Sequence, residues 1–296
     1  MNYLILNLVF VCGFSLITKQ SQVAGRNMLA VGAINYIVAA VASAIAAAPQ
    51  LGAPVSQATW ITGIVCGVTY VTSFWLMMRG LRRNGISVTW STVRLSVFMS
   101  VLFSILYAGE RPGALQIVGM AAVLLALPLL SMREGEGTRG ALLAEGLFIG
   151  LLFLSAGGTN LAAKAFDVWG PESERSIYAL VLFVVAALMS TAGLWRSGSR
   201  ISLGDVWAGL ALGLVNLGAT QTLLLALNAL PGIVVFPVTS AASIIVTSLA
   251  GMALWREKLA GEPGGHRDCG GSGGIDQPVR GIGSEHRIAR MEATWL

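Results

Sequence analysis

Gly85–Glu110 reads GISVTWSTVRLSVFMSVLFSILYAGE, and Gly232–Glu257 reads GIVVFPVTSAASIIVTSLAGMALWRE. The two align without a gap, and each ends in an acid–base pair, Glu110-Arg111 and Glu257-Lys258. Each is apolar over the roughly 20 residues a helix needs to cross a bilayer. A helix of a soluble protein would carry a polar stripe at 3.6-residue spacing. Neighbouring runs such as Leu115–Leu130 carry none. Barrel strands of about 10 residues with alternating polarity are excluded by the same lengths.

Outward from this pair, apolar runs fall at about 3–18, 28–48, 57–78, 86–107, 114–132, 141–163, 177–195, 206–227 and 232–255. The loops between them are short, so consecutive runs are antiparallel neighbours. Composition agrees: 55% of the 296 residues are hydrophobic and 11% charged, against about 25% charged in soluble domains. Lipid is therefore the expected solvent and the bilayer the expected partner. The first run has no basic leader and no cleavage site before Lys19, so it reads as a retained span.

A second internal match supports the first. FSLITKQSQVAG from Phe14 resembles TNLAAKAFDVWG from Thr159, with Leu16, Lys19, Val23 and Gly25 recurring as Leu161, Lys164, Val168 and Gly170. The offsets, 14 to 159 and 85 to 232, are 145 and 147. Two ordered matches at nearly one offset describe a duplicated unit. If each copy holds five helices, an odd number, the second enters the membrane from the opposite side, an arrangement common in secondary transporters.

The span ending Tyr107-Ala-Gly-Glu-Arg-Pro112, followed by GALQIVGMAAVLLALPLL, and the later span with Pro237 and a Glu-Lys end together resemble the drug/metabolite transporter superfamily in its EamA-type branch. The resemblance covers about residues 1–260. It implies an all-α integral membrane protein of two inverted five-helix repeats, 1–138 and 139–260, with a central cavity for a small metabolite such as an amino acid. It also implies a multi-pass location in the cell membrane, inner or plasma.

One departure concerns the chain after Leu259. The family closes its second repeat with a tenth helix, whereas residues 261–296 here are rich in glycine and charge, with no run long enough to span. Read one base later, the codons these residues permit allow VSLVGIAIAAVAVVLINL, which resembles the missing helix. The expectation is a second repeat truncated by a frameshifted tail; the alternative is a genuine disordered tail.

Basic residues are lopsided. Lys19, Arg26, Arg79, Arg82, Arg83, Arg133, Arg139, Arg196, Arg200, Arg256 and Lys258 flank odd-numbered connections, and Arg111, Lys164 and Arg175 flank even ones. The positive-inside rule places the odd connections in the cytoplasm and the N-terminus outside; the family implies the reverse.

For the site, Arg94 stands eight residues into its span, about 12 Å deep at 1.5 Å per residue. A charge at that depth is costly and marks a cavity or a partner, and a guanidinium suits a carboxylate or phosphate; the alternative is a snorkelling side chain. Asn160, Asn216 and Gln221 place amides inside apolar runs, where they need partners. Tyr70 and Trp90 suit a wall or gate, and Thr239 and other hydroxyls the cavity surface, although a lone hydroxyl more commonly bonds its own backbone. Pro237 removes a helix bond and suits a hinge. Glu145 and Lys164, near the ends of the sixth run, read as snorkelling. The fifth run and most of the second are nearly bare of polar groups, which suits a lipid-facing place.

Both histidines, His266 and His286, lie in the tail. With no deep paired carboxylates and no nucleophile beside a base, an enzyme is not expected. The three cysteines have no metal-ligand spacing, and no basic stretch is interleaved with stacking aromatics, so neither metal, cofactor nor nucleic acid is expected. The partners expected are a small-molecule substrate, the bilayer, and optionally a second copy in a homodimer. No acid lies deep in a span, so uniport or exchange fits as well as proton coupling. A scaffold or inactive descendant of such a transporter is the competing reading.

Overall fold

Apolar runs in lipid become helices because the solvent offers the backbone no hydrogen-bond partner. The computed structural model describes residues 2–50, 52–83, 85–114, 117–118 and 139–255, and within them every extended element is helical. They are α1 Asn2–Val23, α2 Met28–Ala47, α3 Gln57–Arg83, α4 Gly85–Leu95, α5 Val97–Leu106, α6 Arg139–Trp169, α7 Arg175–Ser197, α8 Leu203–Ala229 and α9 Gly232–Trp255. Among the described residues, six helices (α1, α2, α3, α6, α7 and α8) are long and apolar enough to cross a membrane. The protein is a multi-pass membrane protein. The fifth expected span and the tail 261–296 lie outside the described residues. Met1–Thr247 forms one compact unit and Ser248–Leu296 a second; the packing that follows belongs to the first.

The expected fourth span is interrupted. Helix α4 stops at Leu95, α5 starts at Val97, and Ser96 forms a turn between them. The Ser96 hydroxyl donates to the Val93 carbonyl at 2.7 Å, and the Met99 amide donates to Ser96 at 3.1 Å, a three-residue step in place of the four-residue ladder. A side chain competing with its own backbone loosens a helix in this way.

The main core joins α2, α3, α6, α7 and α8 around Tyr36, Cys66, Phe166, Tyr178, Leu182, Phe183 and Leu224. Helix α2 packs against α7 and α8, α3 against α6 and α7, and α1 against α8. This corrects in part the lipid-facing place expected for the second run: Ala30, Val31, Gly32, Ala33, Asn35, Tyr36, Ala39, Ser43 and Ala47 of α2 are all buried, while Ile37, Val41 and Ile45 form an exposed face. Small side chains let backbones approach, so an alanine-rich span with few polar groups suits the centre of a membrane bundle as well as its rim.

Glycines set two of these crossings. On α3, a Cβ at Gly67 would stand 2.7 Å from the Leu182 carbonyl and 2.8 Å from Val185 Cβ. On α8, a Cβ at Gly213 would stand 2.7 Å from the Asn35 carbonyl and 2.8 Å from Val38 Cβ. One turn earlier, Gly63 meets Val181 and Tyr178 as Gly209 meets Ile34 and Val31. The glycines are 146 residues apart pair by pair, and their partners 147. The α3–α7 and α8–α2 contacts are thus counterparts, residue for residue.

Carboxylates tie chain segments to helix starts. Glu174 accepts from the Ser56 amide at 3.1 Å and from the Thr59 hydroxyl at 2.5 Å, closing the start of α3. Glu110 accepts from the Gly232 and Ile233 amides at 2.9 and 2.8 Å, closing the start of α9. Gly109, at φ +67°, makes the turn that delivers Glu110, a conformation glycine adopts at little cost. Ser202 and Asp205 form a capping box on α8, and Asp205 also accepts from the Asn27 amide at the start of α2.

Candidate functional site

A cavity of about 260 Å³ lies among α1 to α9, with α5 contributing through Val97. Of the residues expected at a site, Tyr70, Arg94, Asn160, Asn216 and Thr239 line it. Gln221, half-buried on α8, is not among its lining residues. The backbone of Trp90 belongs to α4, but its side chain lies outside the described residues.

Tyr70 and Asn216 do not act separately. The phenol donates to Asn216 Oδ1 at 2.5 Å, and Asn216 Nδ2 donates to Asn35 Oδ1 at 3.2 Å. Asn216 is fully buried, so this chain supplies the partners an amide in lipid requires. Tyr70 follows Gly67 by three residues as Asn216 follows Gly213. The bond therefore joins counterpart positions of α3 and α8.

Arg94 lies in the last turn of α4, two residues before the interruption at Ser96, and lines the cavity with Val93 and Val97. Its Nη1 donates to the Ser243 hydroxyl of α9, which in turn donates to the Ser240 carbonyl at 2.9 Å. Thr239 and Ser240 line the same wall. Pro237 lies inside α9, exposed, on a helix that continues past it.

Sequence reasoning missed several lining groups. Asn7 of α1 is buried; its Nδ2 donates to the Ala219 carbonyl at 2.8 Å, while its Oδ1 has no partner. Tyr36 of α2 is fully buried, and its hydroxyl also has none. Phe14, Ser15, Phe74, Thr159, Tyr178 and Phe236 complete much of the wall. Asn7 carried the same signal as Asn160, an amide within an apolar run. Tyr36 and Tyr178 carried none that separates lining from core. Several hydroxyls bond their own helix, as Thr69 does to Val65 at 2.8 Å and Thr220 to Asn216 at 3.1 Å.

Outside the cavity, Lys164 departs from the snorkelling place expected for it. It is 4% exposed, with Nζ 3.0 Å from Glu110 and 2.8 Å from Asp167. Burial pushes the Glu110 carboxyl up, but the Ile233 and Gly232 amides and Lys164 outweigh it and hold the group below its ordinary value. Phe103, Tyr107 and Trp169 cluster near this end of α5 and α6, with ring centroids 4.9 to 6.2 Å apart.

The model of the EamA-like transporter family matches residues 1–132. This segment belongs to that family. The family is part of the drug/metabolite transporter superfamily, as the repeated Glu-Arg/Lys pair implied. A comparison with curated proteins gave no match. The EamA-like segment supplies Asn7, Tyr36, Tyr70 and Arg94, while Asn160, Tyr178, Asn216 and Thr239 come from beyond it. The cavity is therefore built by the matched segment and the remainder together.

Proposed function

We propose that this protein is a secondary transporter that carries a small polar metabolite across the cell membrane by alternating access, with the central cavity as its substrate site. The observation that carries the reading is a cavity at span depth that holds a lone ionised side chain, Arg94, among its described lining residues, beside amides and hydroxyls from both halves of the chain. A charge kept inside a membrane protein marks a pathway or a binding site by default.

The two halves act as inverted repeats in this proposal. The counterpart contacts of α3–α7 and α8–α2, and the exchange that turns α1–α8 into α6–α3, support it. Rocking of the repeats would then expose the cavity alternately to each side. Glu110 and Lys164, which fasten the start of α9 to the end of α6, would act as a tie at one face. Pro237 would serve as the hinge of α9.

The test is counterflow in proteoliposomes loaded with a panel of amino acids and small organic acids. At least one compound should exchange, and Arg94→Leu should abolish that exchange while the protein remains folded. Exchange at the native rate in Arg94→Leu would retire the assignment of Arg94.

A second reading rests on the tail. Residues 261–296 contain no apolar run long enough to span, and on this reading the protein is an inactive or scaffold-like descendant of such a transporter. Translating the coding DNA beyond codon 255 in all three frames separates the two. An apolar alternative frame of about 18 residues or more identifies a lesion or an error, and transport should return when the frame is restored.

A further inference from the structure

Two turns meet at one end of the bundle and carry more positive charge than they neutralise. The turn between α1 and α2 and the turn between α7 and α8 each join two helices long and apolar enough to cross a membrane. Both therefore lie at the level of lipid headgroups. They are laced together: Asn27 Nδ2 donates to the Arg200 carbonyl at 3.3 Å, the Asn27 amide donates to Asp205 at 3.2 Å, and the Arg26 guanidinium lies against Gly204 in the first turn of α8. Arg196 stands in the last turn of α7, which Gly198 ends at φ +57°. Arg26, Arg196 and Arg200 are all exposed, and none forms an ion pair among the described residues. Asp205, the acid of this corner, is 2% exposed and accepts from the Ser202 amide at 2.8 Å as well as from Asn27.

The surface beside these arginines is apolar and aromatic. Trp195 is 85% exposed, Leu203 74% and Trp207 66%. Indoles at helix ends belong to the boundary between hydrocarbon and headgroups, and a guanidinium pairs with phosphate through two parallel hydrogen bonds. A water-soluble anion would engage the arginines and leave the large apolar side chains bare; a phospholipid covers both. The opposite end of the bundle is built differently. There Lys164 is paired with Glu110 and Asp167, and Arg175 with Glu172. The corner also belongs to odd-numbered connections, the ones the distribution of basic residues assigns to the cytoplasm, where the leaflet carries anionic lipid.

We infer that this corner is a binding site for an anionic phospholipid, with the headgroup phosphate held by Arg26, Arg196 and Arg200 and the glycerol and upper acyl chains laid over Trp195, Leu203 and Trp207. The site lies outside the cavity and stands independently of the transport reading. Each basic residue near a membrane surface favours an anionic lipid by about fivefold. Two of them are enough for a preference of more than about tenfold over a zwitterionic lipid.

The experiment is native mass spectrometry of the purified, delipidated full chain, offered phosphatidylglycerol and phosphatidylethanolamine of identical acyl chains in equal amounts. Phosphatidylglycerol should be retained in roughly tenfold excess or more. Arg196→Gln/Arg200→Gln alters exposed side chains only and keeps the Asn27 bond to the Arg200 backbone; it should cut that retention by roughly tenfold or more. Arg26→Gln alone should cut it about fivefold. Arg111→Gln/Arg175→Gln removes the same charge from the opposite end and should leave retention unchanged. Melting temperature in detergent gives a second reading: added phosphatidylglycerol should raise it in the native chain and not in Arg196→Gln/Arg200→Gln. Equal retention of the two lipids overturns the proposal. So does an equal loss in Arg111→Gln/Arg175→Gln, which would reduce the effect to net charge. Displacement of the bound lipid by millimolar glycerol 3-phosphate would show that the phosphate alone is read, and would overturn the lipid assignment.

Discussion

Tyr70 and Asn216 show at the residue scale how little of a polar span is available to a ligand. Both were expected to contact substrate, and both line the cavity, but they satisfy each other at 2.5 Å. Interhelical bonds of this kind are worth about 0.6 kcal/mol on average and up to about 1.7 in membranes. Tyr70→Phe is therefore expected to lower thermal stability in detergent by about that amount; an unchanged melting temperature would mean the bond contributes nothing. Asn216→Leu should cost more, because it also leaves the fully buried Asn35 Oδ1 without its donor. The sequence made Asn160 and Asn216 legible because amides are conspicuous among apolar residues. It did not separate Tyr36 from the core, since a tyrosine is apolar for most of its surface and only the position of its hydroxyl marks it as lining.

At the element scale, the helices were legible from run lengths, and their order of burial was not. Bareness of polar groups pointed α2 towards lipid, yet glycine and alanine bring it to the centre. The same glycines give a paired prediction. Gly213→Ala places a methyl 2.7 Å from the Asn35 carbonyl and should destabilise the bundle. Gly150→Ala, with nothing within 4 Å, should be neutral or stabilising by up to about 1 kcal/mol from helix propensity. If both variants melt alike, the close crossing is not what holds α8 to α2. Glu110 carries a prediction in pH. Its pKa is held below the ordinary glutamate value of about 4.3, so the tie to α9 contributes fully above that value and is lost as pH falls through the lowered one. Glu110→Gln should remove this acid-side loss from the stability profile and lower stability at neutral pH, and an identical profile in the variant would refute the tie. The interruption at Ser96 escaped the sequence because a serine in an apolar run is equally at home in an unbroken helix.

At the scale of the whole molecule, orientation is the property most open to direct measurement. The basic residues of the odd connections predict an extracellular N-terminus. A cysteine tag there, in a background with Cys12, Cys66 and Cys269 replaced, should react with an impermeant maleimide in intact cells. Labelling only after lysis would reverse the assignment. The duplication was legible from two short matches, and the packing adds a third at the intermediate offset of 146, hidden in the sequence because glycine and alanine recur too often to stand out.

The carboxylates that close α3 and α9 come from the opposite half of the chain: Glu174 serves Ser56 and Thr59, and Glu110 serves Gly232 and Ile233. During synthesis, the start of α3 therefore leaves the ribosome more than a hundred residues before its acceptor exists, and Glu110 waits equally long for the amides it will bind. Neither of these two helix starts can be completed while the other half is missing. Biogenesis is thus a joint event, in which the first half is held in the membrane unfinished until the second is inserted beside it, and the two halves expressed as separate chains should accumulate only together.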